Sequence, residues 1–388
     1  TVTNEGRIIA PQGDVVLAAA ESVTLPEELV KPQHAPTPST VSVRMSKRVR
    51  LELDPAAVNT AVNNTESGVI VTEGGQVLLQ AAAISSAVAS VTHSGRIDTS
   101  APQAGAVTIL ADNGVIKVDG TITANSSGTD NQGQVRKGAD IIIGRDEETG
   151  VLAKATNVSG AKLESNQGFV ETSGDVLATT GTRVKAGEWL LDPYNISIEG
   201  TGSTTPGATD LPNYTTNATS TILASDVASN LNAGTNVTIK TTGTNGDGLG
   251  AGNIAVNESI AKTGGGDATL TLQAHGNITV AASKTITSNT GKLNVVFNSD
   301  SDATNGGGIV FNAGSGITSN GGNITLGGGI ALNGTGYAIA DGTTSLQGIS
   351  LNTATINAGG GNIVMKGKTA VTNYVGSLST INGLYMAG

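Results

Sequence analysis

The stretch Ala268-Thr-Leu-Thr-Leu-Gln-Ala274, followed by Gly276-Asn-Ile-Thr-Val280 and Leu293-Asn-Val-Val-Phe297, decides the fold. Each run sets apolar side chains at alternate positions, with small or polar residues between them. A β-strand points successive side chains to opposite faces, so this alternation marks strands with one buried face. Ala106–Leu110 and Asp140–Ile143 read the same way. Gly, Asn, Asp and Ser separate the runs, which is turn chemistry. Helical periodicity is nearly absent.

A repeated unit ties the runs together. Gly-Asn-Ile-x-apolar occurs at Gly252–Val256, Gly276–Val280, Gly322–Leu326 and Gly361–Met365, at intervals of 24, 46 and 39 residues. These read as one, two and two turns of about 20–24 residues, the range of a solenoid. Leucine-rich repeats need Leu-x-x-Leu-x-Leu spacing, which is missing, and propeller blades carry aromatic marks that a chain with one Trp cannot supply. The expected fold is all-β: a right-handed parallel β-helix, or β-solenoid, with an extra-helical hairpin excursion. Each strand then bonds to the coils above and below at about 4.8 Å, so roughly fifteen coils give a rod of about 70 Å. Val, Ile and Ala should fill the bore, which is too narrow for Phe or Trp to stack easily.

Composition agrees. The 388 residues include 54 glycines, and only 2% are aromatic and 13% charged. A thick core normally uses large aromatics, so this one should be thin and long. A hydrophobic share of 37% and a mean hydropathy of +0.01 are too apolar for a disordered chain. With no cysteine, disulfides and thiolate metal sites are excluded. A net charge of −10 argues against nucleic acid as a partner. No stretch reaches the roughly 18 apolar residues that mark a transmembrane segment. No signal peptide opens the chain, so Thr1 is expected to be an interior cut.

The rhythm divides the chain into five parts: first coils over 1–25, an excursion over 26–66, a β-helix over 67–200, a loop-rich connector over 201–233, and a low-charge β-helix over 234–388. The excursion holds five of the ten prolines, a hairpin of Thr40–Met45 with Arg48–Leu53, and a helical turn over Ala56–Val62 opened by Asp54-Pro55. In the connector, Ser225 is expected to N-cap a short helix, Asp226–Leu231, closed near Gly234. Residues 1–200 carry 15 basic and 23 acidic side chains, and residues 201–388 carry 6 and 8.

Gly187-Glu-Trp-Leu-Leu-Asp-Pro-Tyr-Asn-Ile-Ser-Ile198 resembles a signature of filamentous-haemagglutinin-like proteins, the large exoproteins of two-partner secretion. Leu231–Ile239 and Ile260–Leu272 are similar to the stretch that follows it in that family. Asn4–Ile8, Gly13–Leu25 and Gly75–Leu79 resemble coils just after the family's secretion domain. The Asn-Pro-Asn-Gly element of that domain is missing here, so the resemblance places it upstream of Thr1. It implies export through an outer-membrane two-partner secretion transporter, reached through that upstream segment. It also implies a secreted or cell-surface location on a Gram-negative bacterium, and a role in adhesion or biofilm cohesion. The expected function is a non-catalytic, rod-like adhesin passenger that attaches to host cells, to glycans or proteins of host or bacterial surfaces, or to other bacteria. Two alternatives are a filament subunit that self-associates head to tail through coil ends, and a stalk for a distal toxin domain.

No catalytic, cofactor or metal site is expected. His34, His93 and His275 lie in unrelated contexts, and no Gly-x-Ser-x-Gly elbow occurs. The acidic run Asp146–Glu148 reads as a solvated loop. Ser299-Asp-Ser-Asp302 and Thr244-Asn-Gly-Asp247 are oxygen-rich but match no EF-hand or nonapeptide calcium pattern, and read as plain turns. Arg44, Lys47, Arg48 and Arg50 form the candidate patch for an anionic ligand. Trp189, Leu190, Leu191, Asp192 and Pro193 form a junction motif. Trp189 and Leu191 are expected to be buried together and to close off the interior, with residues 201–224 outside the rod. The Asn-x-Ser/Thr sequons, among them Asn257, Asn323 and Asn333, follow from an Asn- and Thr-rich composition.

Overall fold

Strands of three to six residues cannot stand alone, and here each one finds its partners one coil away. The computed structural model describes residues 1–24, 52–84, 87–112, 114–201, 219–242, 252–304, 306–340, 347–369 and 383–387. Almost every pairing between strands is parallel, and the chain winds as a parallel β-helix of three faces. The longest face starts at Val15–Ala19 and ends at Ile363–Met365. Among the described residues it stacks eleven strands, which at about 4.8 Å per step span about 50 Å, against the roughly fifteen coils expected.

Columns of like residues run up the inside. On the long face Val15, Val77, Val107, Ile141, Val170, Trp189, Val237, Leu270, Val295, Ile324 and Ile363 lie in continuous register. On the second face Ile8, Ile70, Ile97, Ile122, Leu163 and Val184 stack in the same manner. In the upper part of the third face the column is Ile196, Ile254, Ile278, Ile309, Ile349 and Leu384. Burying each such side chain stabilises the rod by about 1.5–3 kcal/mol.

Large rings do enter the bore. Phe297 and Phe311 are fully buried on facing strands and stack with centroids 5.7 Å apart and planes 6° from parallel. The bore is wide enough for one ring to lie flat on another, so the expectation that it is too narrow for Phe to stack easily does not hold.

The corners explain the Gly-Asn-Ile unit, and they correct the reading of its spacing. Ile254 pairs with Ile278 on the third face, but Ile324 pairs with Ile363 on the long face. The interval of 46 therefore crosses from one face to another, and the interval of 39 is a single coil. The motif marks a corner entering a strand. There the Asn side chain accepts the backbone N–H of the matching residue one coil on: Asn253 Oδ1 from Asn277 N at 2.7 Å, Asn294 from Asn323 at 2.9 Å and Asn323 from Asn362 at 2.9 Å. Glycine is needed where coils pass closely. A Cβ on Gly105 would lie 1.9 Å from the Gly75 carbonyl oxygen, and one on Gly75 2.0 Å from that of Gly13.

The excursion is shorter than expected. Its base is an antiparallel pair, Ser22–Thr24 with Glu52–Asp54, so Leu53 faces Val23. Residues 25–51, with most of the expected hairpin, lie outside the described residues. No helix forms at Ala56–Val62. Ala56 bridges to Ala83, and Thr60–Asn64 is a rod strand with alternate residues buried. The ladder on offer from neighbouring coils outweighs a local Asp-Pro helix start, which would bury little. Among the described residues, no helix is long and apolar enough to cross a membrane.

These columns fix which side of each strand faces inward. Val280 is fully buried between Val256 and Phe311, whereas its neighbour Thr279 points outward. Val280→Asp should cost several kcal/mol by burying an unpaired charge, and Thr279→Asp less than about 1 kcal/mol. Thermal melts of the two variants read the difference, and equal midpoints would refute the register.

Candidate functional site

Trp189, Leu190, Leu191, Asp192 and Pro193 end a strand, Arg183–Asp192, that runs through a corner of the rod. Alternation sends Trp189 and Leu191 inward, and both are fully buried. The indole Nε1–H donates to Thr172 Oγ1 at 3.0 Å, so the ring brings no unsatisfied donor into the core. Thr172 stands where that column otherwise carries Ile143 and Leu191. Trp189 does not close off the interior. It is one rung, paired with Val170 below and Val237 above, and the bore runs on. Leu190 is half-buried on the outer side, and buried Pro193 sits in the turn before Asn195–Glu199, where a missing N–H breaks no ladder.

Asp192 gathers charges from four coils. Its carboxylate is fully buried and takes Lys240 Nζ at 2.9 Å and Arg145 Nη1 at 3.4 Å. Arg145 also lies 3.6 Å from Glu171, which is itself almost wholly enclosed and bonded to Ser173 Oγ. Burial pushes the Glu171 carboxyl above its usual range. Two bases and two acids meet there, and Lys240 comes from much later in the chain than Arg145, Glu171 and Asp192. Paired carboxylates with Lys and Arg on adjacent coils also suit sugar chemistry, but Asp192 and Glu171 present no face to a polymer. The arrangement acts as a clamp.

Above the motif the coils stack out of chain order. Thr219–Leu223 pairs with Asn195–Glu199 from beneath and packs against Val176–Ala178, so the later strand lies below the earlier one. Residues 219–223 are therefore inside the rod, contrary to the expectation that 201–224 lie outside; residues 202–218 lie outside the described residues. Helix α1 (Ala224–Asn232) then replaces a strand on the second face, with Val227 and Leu231 buried. Its N-cap is Leu223, with no side-chain cap, rather than Ser225. Anchoring from both sides makes a cap dispensable.

A helix offers no ladder to the coil beneath, so side chains supply the missing acceptors. Ser220 Oγ accepts Leu177 N (2.9 Å), Asp226 accepts Gly181 N (2.9 Å), Asn230 accepts Val184 N (2.7 Å) and Thr235 accepts Ala186 N (3.1 Å). Above, Asn232 Oδ1 accepts from Thr263 N and Gly264 N. These residues were not singled out from the sequence, because Ser, Asp, Asn and Thr in a polar stretch look like any loop. The charge partners of Asp192 were equally hidden, lying 47 and 48 residues away in sequence.

The other candidates stay apart. Arg44, Lys47, Arg48, Arg50, His34 and Thr244–Asp247 lie outside the described residues. Asp146–Glu148 forms a turn in which Asp146 accepts Glu148 N at 2.8 Å. His93 is buried, with Nδ1 facing the Asn64 amide (2.9 Å) and Nε2 the Thr121 carbonyl (3.2 Å). Burial holds it neutral, with a pKa of about 4. Among the described residues, no group of three or more His, Asp or Glu side chains is placed to hold a metal ion. No protein-family model and no curated protein matches the chain.

Two outcomes follow from the join. Trp189 emission should be blue-shifted and shielded from iodide in the folded chain; a red-shifted, freely quenched spectrum would place the ring on the surface. Asp192→Ala should cost about 3–5 kcal/mol by leaving Lys240 and Arg145 without their shared carboxylate. A chemical-denaturation midpoint unchanged from the parent would show that the clamp carries no weight.

Proposed function

We propose that the chain is a rod-like passenger segment of a surface adhesin, exported by two-partner secretion and non-catalytic in itself. The observation that carries this reading is the Trp-Leu-Leu-Asp-Pro block. The sequence there resembles haemagglutinin-like exoproteins, and the structure uses the same residues to carry one unbroken column through an irregular level of a β-helix. A stiff rod of stacked coils holds binding surfaces away from the cell, and outward rows of Thr and Asn offer hydrogen-bonding groups without strong charge. The transporter partner and the Gram-negative surface location rest on the resemblance.

A second reading, a filament built by end-to-end stacking, is favoured by one observation. Among the described residues, Ile363 and Met386, in the last strands of their faces, are 44% and 68% exposed, although the columns beneath them are buried. Unpaired strand edges beside exposed apolar residues invite another strand.

Beads coated with the chain should adhere saturably to host cells, to mucin or to matrix proteins, and soluble chain should compete. Adhesion no greater than that of albumin-coated beads would sink the adhesin reading. Sedimentation of the soluble chain tests the filament, which requires assemblies that grow with concentration.

A further inference from the structure

The chain treats its two most enclosed aspartates differently. Asp192 is met by an arginine and a lysine. Asp300, 2% exposed, has no basic partner among the described residues. It follows the strand Leu293–Ser299 and takes one backbone hydrogen bond, from Gly306, while its Oδ1 is buried without a partner. The next residue repeats the pattern: Ser301 is 6% exposed and its Oγ is also buried and unpartnered. Asp302 adds a second carboxylate, held in place by Thr304, whose N–H and hydroxyl both donate to it. His275 Nδ1, which makes no hydrogen bond among the described residues, lies 3.7 Å from Asp302.

Burial, followed by repulsion from Asp302, pushes the Asp300 carboxyl up to about 6. The turn therefore brings two carboxylates together with two buried oxygens, Asp300 Oδ1 and Ser301 Oγ, that find no hydrogen-bond partner among the described residues. Polar atoms left so are rare in folded proteins, and an ion or a water is the usual resolution. Carboxylate and hydroxyl oxygens are hard donors, the kind calcium prefers and soft metals do not.

We propose that the turn Asp300–Thr304 binds a calcium ion, with the Asp300 and Asp302 carboxylates as charged ligands and the Ser301 hydroxyl beside them. Two carboxylates make a weak site, of the kind used where calcium is abundant, with a Kd of about 10⁻⁴–10⁻³ M. A loop with one buried and one partly exposed acid then becomes rigid only in calcium, locking the connection between adjacent rungs. The site stands independently of the adhesin reading.

The test is calorimetric titration of chelator-treated full chain with calcium chloride at pH 7.5, alongside melting in calcium and in magnesium. One site per chain is expected, with a melting midpoint that rises with calcium and hardly moves with magnesium. Asp302→Asn, at a partly exposed position that the fold can spare, should weaken binding at least tenfold. Asp300→Asn should abolish it. Heats equal to dilution up to about 10 mM calcium in the parent chain would overturn the proposal, whatever the variants do. Parent-like binding by both variants would overturn it equally.

Discussion

Each rung of this protein hydrogen-bonds to the rung beneath it, and that ladder sets what every other part must do. A fixed step of about 4.8 Å leaves room for one layer of side chains per coil. The interior is therefore a set of columns, and a residue is judged by the two above and below it. Val15 to Ile363 is one such column. Isoleucine, valine and leucine recur in it because neighbours of similar shape pack without voids.

The same ladder creates a problem at every corner, where the backbone turns and its N–H groups lose their partners. The chain answers with short side chains. Asparagines accept backbone N–H groups from the next coil, and Ser and Thr donate to corner carbonyls, as Thr72 does to Gly75 O and Ser319 to Gly322 O. Lys262 shows how far this extends. It is fully buried at a corner where its neighbour in register is Ser288, and its ammonium donates to the Gly264 and Thr290 carbonyls at 2.7 and 2.6 Å. Burial lowers its pKa.

At the join the ladder fails on two faces at once, and the fold compensates on both. On the third face a strand from later in the chain slides in beneath an earlier one. On the second face a helix stands in for a strand, with Asp226, Asn230 and Thr235 accepting the exposed N–H groups. Only the long face stays continuous, and there Trp189 and the clamp around Asp192 sit. The largest side chain and the densest buried charge thus fall on the one ladder that joins the lower coils to the upper.

Much of this was legible in the sequence. Alternation in Ala268–Gln273 fixed which residues face inward, and the Trp-Leu-Leu-Asp-Pro block marked the irregular level. These features are local, because a strand's side chains alternate whatever lies beside it. Other decisions belonged to the tertiary structure. Gly-Asn-Ile looks identical on two faces, so its spacing could not count coils. Thr60–Asn64 became a strand because a neighbouring coil offered it a ladder. Residues 219–223 lie beneath 195–199, and Lys240 reaches Asp192, only because the coils stack in that order. Which coil lies next to which is set by pairing between distant segments, and no residue carries that in its own neighbourhood.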